Sequence, residues 1–169
     1  MAEGNKVTGY SSLQIALHWI VVILVAFQFL AHDGIEDAWR AFIRHDLVPE
    51  DAYVLTYLHI AAGVIVLVLA LLRIFLRRTR GVPAPPPQEP RVLHLLAEVV
   101  HGSIYLLLIL LPLSGAAAWF LGIGPAADAH EFMQNILLAA IALHVAGALF
   151  QHLVLRSQVL IRMFRPQGG

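Results

Sequence analysis

The sequence contains no cysteine. That excludes disulfides, thiolate metal centres and any cofactor attached through a cysteine sulfur. Charge is also scarce. Only 13% of the 169 residues are Asp, Glu, Lys or Arg, and the two signs cancel. A soluble domain carries about 25% charged residues to cover its surface, so a soluble fold is a poor expectation. A chain with no net positive charge also lacks the electrostatic footprint of a nucleic-acid binder. What the chain does have is apolar surface: 59% of residues are hydrophobic and the mean hydropathy is +0.76. These values point to an integral membrane protein.

Four stretches are long and apolar enough to cross a bilayer, which takes about 20 helical residues. They cover about 13–31, 54–75, 95–121 and 132–155. Pro112 falls inside the third, where a membrane helix tolerates it with a bend. "GVPAPPPQEP" (81–90) cannot be helical and reads as an extended linker. Residues 32–53 form a polar loop with room for a short helix, and "GIGPAADA" (122–129) reads as the loop between the last two spans. The polar N-terminus and the absence of a small-residue cleavage site argue against a removed leader. The expected fold is therefore all-α, a four-transmembrane-helix bundle formed by residues 1–169 as one domain.

Orientation follows from Lys and Arg, which concentrate on the cytoplasmic side. Lys6, the five arginines at 73, 77, 78, 80 and 91, and Arg156, Arg162 and Arg165 lie on one side. Only Arg40 and Arg44 lie on the other. Nine against two puts both termini and the proline linker in the cytoplasm. The opposite loop is acidic, with Asp33, Glu36, Asp37, Asp46, Glu50 and Asp51.

Histidine is the abundant polar residue, at nine copies, and several copies fall inside the spans. An ionisable group there is costly and needs a partner. His130 and His144 are 14 residues apart, so they lie about 40° apart around one helix and about 21 Å apart along it. Under the topology above, His18 lies at the depth of His144, in the inner half. His59 lies at the depth of His130, in the outer half. A lone intramembrane histidine is ordinarily a packing or hydrogen-bonding residue. Four that match in pairs at two depths suit two haem b groups, each held by two axial imidazoles. His18 and His144 would ligate the inner iron, and His59 and His130 the outer one. Gly63 and Gly147 follow His59 and His144 and leave room for a flat ring. Arg73, 14 residues after His59, reaches the inner level and suits a haem propionate or a quinone head group; an interfacial arginine that only sets topology is the plainer reading. His101 is expected behind an inner ligand or at a quinone site. His94 is expected at the interface. His152, about 80° round from His144, is expected to face away. His32 and His45 belong to the outer loop, where solvation is the simpler expectation than metal binding.

These residues resemble the bacterial cytochrome b561 family, four-helix di-haem membrane cytochromes related to the b-type subunits of nickel-iron hydrogenases. The resemblance rests on "SSLQIALHWIVV", "LHIAAGVIVLVLALLRIFLR", "HGSIYLLLILLPLSG", "HEFMQNILLAAIALHVAGALFQHLVL" and the tail "LIRMFRP", and covers nearly the whole chain. The family's four axial histidines fall on His18, His59, His130 and His144. The resemblance implies electron transfer through two haems b in the bacterial inner membrane, linked to ubiquinone or menaquinone. Some members oxidise superoxide, for which the acidic outer loop is unsuited. Gln151 and His152 stand where a histidine pair is common in the family. Two other functions compete. One is a haem-bearing anchor that exchanges electrons with a partner dehydrogenase, hydrogenase or periplasmic carrier. The other is a haem-free channel or transporter.

Overall fold

The computed structural model describes residues 9–48, 50–86 and 89–166. Five α-helices and one short 3-10 turn follow in order: α1 (Ser12–Leu30), α2 (His32–Arg44), α3 (Glu50–Arg80), α4 (Arg91–Leu121), α5 (Gly124–Leu153) and the turn Ile161–Met163. No strand occurs among the described residues. Four of the helices, α1, α3, α4 and α5, have the length and apolarity to cross a membrane. α1 has 19 residues, about 28 Å, close to the hydrocarbon thickness. α3, α4 and α5 have 30 or 31 residues each and reach well past it.

Local chemistry explains the helix ends. Ser11 caps α1 in a reciprocal box: its hydroxyl accepts from the Gln14 backbone N–H (3.3 Å), and the Gln14 side chain accepts from the Ser11 N–H (3.0 Å). Gly122, at φ +66°, closes α4 in the left-handed conformation that favours glycine. α5 starts directly afterwards, with Pro125 in its first turn, where a missing N–H costs nothing. The segment 124–129, expected as loop, is therefore helical. Its glycine, proline and aspartate suit a helix N-terminus as well as a loop, and only the connection to α4 decides between them. α2 realises the short helix expected in the outer loop. Asp33 in its first turn and Arg44 in its last suit the helix dipole. The linker 81–86 is extended, as its prolines require.

α1 packs on α3, α3 on α4, and α4 on α5, while α2 lies against α3. α5 holds off from α1 and α3, leaving a slot along the bundle. A central layer of Val21, Val66, Ala70, Leu107, Leu111 and Leu137 closes the middle of the interior. Large apolar side chains otherwise face outward, as a lipid-facing surface requires: Ile23 is 66% exposed and Phe75 61%. No large side chain among the described residues is fully buried, so the bundle interior is loosely filled compared with a close-packed core.

The two ends differ in charge. The end carrying α2 and the α4–α5 connection holds eight carboxylates, the six of the loop plus Asp128 and Glu131, against Arg40 and Arg44. The opposite end gathers the arginines at 73, 77, 78, 80, 91, 156, 162 and 165. These are called the acidic and basic ends below.

Candidate functional site: two histidine pairs across one slot

The slot between α5 and the α1–α3 face is bridged twice. Near the basic end, the rings of His18 (α1) and His144 (α5) have centroids 6.3 Å apart. Near the acidic end, the rings of His59 (α3) and His130 (α5) are also 6.3 Å apart. The two α5 histidines share nearly one face of that helix because 14 residues is close to four full turns. Leu137, midway between them, is 3% exposed and belongs to the layer that separates the two pairs.

The distance has a chemical meaning. A transition metal–imidazole bond is about 2.0–2.1 Å, and the ring centre lies roughly 1.1 Å beyond the nitrogen. Two imidazoles on opposite sides of one metal ion thus have centroids roughly 6.3 Å apart. That spacing is compatible with one ion between the rings of each pair, and it is too long for a direct hydrogen bond.

The acidic-end pair lines a cavity of about 70 Å³ together with Gln28, Phe29, Gln134 and Leu137. His130 is held from behind. Its Nδ1 lies 2.9 Å from the Leu111 carbonyl. A carbonyl can only accept, so Nδ1 carries the proton and Nε2 keeps its lone pair, the tautomer a metal ligand needs. Ser114 donates to the same carbonyl at 2.9 Å. Leu111 immediately precedes Pro112, whose missing N–H leaves the Leu108 carbonyl, four residues earlier, without its helical donor. Gly115 faces the His130 ring, and a Cβ there would stand 3.1 Å from Cε1. Across the cavity, Gln28 donates to the His59 carbonyl (3.0 Å). Gln28 Oε1 and His59 Nδ1 are buried without a partner. His32, the first residue of α2, contacts Gln134 of the cavity lining at 3.1 Å. His32 lies within reach of Asp33 and Glu36 as a three-ligand cluster. Its side chain is 30% exposed, while His45 is exposed.

The basic-end pair has different neighbours. Arg73 Nη2 lies 3.0 Å from His18 Nδ1, and its guanidinium carbon lies 5.6 Å from the Tyr105 ring centroid. A guanidinium can only donate, so His18 here carries its proton on Nε2. Ligation through Nε2 moves that proton to Nδ1, and Arg73 must then turn to another acceptor at the same end. The His101 ring sits edge-on to His144, 4.9 Å away. The expectation that Arg73 and His101 reach the inner level thus becomes contact with His18 and His144 respectively. His94 is 45% exposed and pairs with Glu98 at 3.4 Å. Gln151 is buried and donates to Glu89 of the linker.

The tail closes this end. The Trp19 indole donates to the Met163 carbonyl (2.8 Å), and the Phe164 ring lies tilted against Trp19 with centroids 5.0 Å apart. Gln14 donates to the Gly81 carbonyl (3.3 Å). Tyr10, just before α1, is a neutral phenol whose pKa burial pushes up.

Spacing alone did not reveal the Leu111 carbonyl, Gly115, Gln28 or Gln134. No local pattern along the chain marks them, because each is set by how the helices meet. Of the two glycines expected to make room, Gly147 faces open space and Gly63 lies near Gln28.

The chain is also similar to known proteins over nearly its whole length. Residues 9–166 match the family described as prokaryotic cytochrome b561. The chain is 37% identical over 161 residues to "Cytochrome b562" of Cereibacter sphaeroides, covering 94% of this chain and 97% of that protein. It is 32% identical to "Probable superoxide oxidase CybB" of Yersinia pestis, covering 95% and 98%. It is 28% identical to "Cytochrome b561 homolog 1" of Escherichia coli, covering 91% and 96%. With nearly its whole length matched and four apolar helices to cross the bilayer, the chain belongs to the prokaryotic cytochrome b561 family of multi-pass bacterial membrane proteins, which bind haem b and transfer electrons.

Proposed function

We propose that this cytochrome carries two haems b, one between His18 and His144 and one between His59 and His130, and passes electrons between the quinone pool and a donor or acceptor on the opposite face. The observation that supports it is the equal 6.3 Å spacing of two histidine pairs bridging one slot. Haem b supplies reversible one-electron chemistry, and two imidazole ligands leave no open position on the metal. The chain's residues do the rest. Leu111 holds the His130 proton on Nδ1. The central apolar layer keeps water from the space between the pairs. Gln28 fixes the backbone behind His59.

The asymmetry of Lys and Arg supports an orientation with the basic end, both termini and the proline linker in the cytoplasm and the acidic end in the periplasm. A ubiquinone or menaquinone head group fits best at the basic end. There Arg73 offers donors to a quinone oxygen, and His101 stands beside His144. If Arg73→Ala and His101→Ala both leave quinone-linked haem oxidation unchanged, the quinone binds elsewhere. The acidic face disfavours an anionic donor, so superoxide oxidation is left to the relative whose name carries it.

The deciding experiment is haem per polypeptide by pyridine haemochrome, with the reduced-minus-oxidised spectrum, on protein in mild detergent. Two haems b with a low-spin α band support the reading. One haem sinks one of the pairs, and none sinks electron transfer through the slot.

A second reading has the same haems in a membrane subunit serving a partner protein. The acidic face favours it, because it would steer a basic redox partner. Stoichiometric co-purification of such a partner would select it.

A further inference from the structure

We propose that Arg73 orders the two sites in redox potential, holding the His18–His144 site above the His59–His130 site. The inference rests on the two-haem reading. It asks what the residues behind each pair do to an added electron.

Adding one electron to either site lowers its charge by one. A fixed positive charge nearby favours the reduced form, and a negative field opposes it. Arg73 is the fixed charge at the basic end. It lies 3.0 Å from His18, is partly buried, and faces Tyr105. Among the described residues, no carboxylate lies within 4.0 Å of it. No protein carboxylate among the described residues therefore cancels its charge. Turning from His18 Nδ1 on iron ligation changes its hydrogen bond but not its charge, which remains at the same end of α3. Arg77 follows one turn later, and Arg162 of the tail binds the Ala84 carbonyl (2.9 Å) at this end.

The acidic-end site has the opposite setting. Apart from the histidines, its cavity is lined by amides and apolar side chains. The nearby α2 contributes Asp33, Glu36 and Asp37, and its Arg40 is committed to Glu36 and Asp37. The histidine pair is matched at the two ends, but its surroundings are not. An electron shared between the sites rests at the basic end: the acidic-end site is oxidised and the basic-end site is reduced by that same electron.

The test is a spectroelectrochemical titration of the full-length protein in detergent, with haem content measured first. Wild type should show two waves separated by at least a tenfold bias, about 59 mV for one electron. His144→Ala should retain only the lower wave, and His59→Ala only the upper. Arg73→Gln should lower the upper wave by about tenfold in equilibrium constant and leave the lower wave in place. Arg73→Lys, which keeps the charge, should stay near wild type. Survival of the upper wave in His144→Ala overturns the proposal. So does an upper wave that Arg73→Gln does not move, or equal movement of both waves. The two histidine variants leave Arg73 intact, so the order of the waves is decided even if Arg73→Gln fails to take up haem. A haem count other than two per chain overturns the two-site reading and this proposal together. Two haems in the wrong order overturn the proposal alone.

Discussion

The two ends of the slot repeat one motif in two settings. Both pairs are 6.3 Å apart, and both use an α5 histidine against a histidine from an earlier helix. The acidic-end pair is held by neutral groups: a carbonyl behind His130 and glutamines on either side, one of them in contact with His32 of α2. The basic-end pair is held by an arginine, a third histidine and a strapped tail. The difference teaches that ligation and tuning are separable here. Ring spacing is set by helix packing, which the two ends share. The field at each pair is set by side chains that reach in from other elements, and these differ.

Double substitution tests the pairing most severely. His144→Ala should remove about half the haem, and His18→Ala with His144→Ala should remove no more, because both residues serve one site. His59→Ala with His144→Ala should remove all of it. Pyridine haemochrome reads this directly, and additive loss for the His18–His144 pair would break the pairing.

A second substitution should separate the ends by stability. Gly34 packs against Leu55, and a Cβ at 34 would lie 2.5 Å from the Leu55 Cβ. Gly34→Ala should push α2 off α3 at a cost of about 1–3 kcal/mol. The site beside α2 should then lose haem at a lower temperature than the basic-end site. Thermal melts followed in the Soret band should split into two steps, whereas an unsplit melt would mean that α2 does not hold the acidic-end site together.

A gentler probe is Gly115→Ala, which presses on the His130 ring. The ring is fixed from behind by Leu111, so it should tilt rather than retreat. One of two low-spin signals in the electron paramagnetic resonance spectrum should shift while the other stays. A shift in both would mean that the two sites are mechanically coupled.

The smallest effect concerns α2 itself. Pairing with Arg40 holds the exposed Glu36 carboxyl below its ordinary value of 4.5. A depressed carboxylate stabilises the fold above that pH and loses its contribution as pH falls through the folded value. Being exposed, the pair contributes little. Glu36→Gln should melt slightly below wild type at pH 7, and the two should converge as pH falls through the lowered folded value. A difference that persists once the carboxyl is protonated would assign the effect to something other than the ion pair.

Much of this was legible in the sequence for local reasons. Hydropathy fixes the spans because lipid requires every backbone group to be satisfied within its own helix. The prolines of 81–86 forbid helix. The spacing of His130 and His144 puts them nearly in line, since 3.6 residues make a turn. The start of α5 was misplaced because "GIGPAADA" has the composition of a loop and of a helix N-terminus alike.

What the sequence by itself determined, then, is what periodicity and composition carry: four spans, an acidic and a basic end, and two histidines on nearly one face of α5. The tertiary structure decided what depends on rotation and approach between helices. It opened the slot by holding α5 away from α1 and α3. It turned the Leu111 carbonyl onto His130, set Gly115 against that ring, brought His32 of α2 to Gln134, and brought Arg73 to His18 from 55 residues away in the chain. None of these contacts is local, and each is set by how whole helix faces fit together, which no window along the chain records.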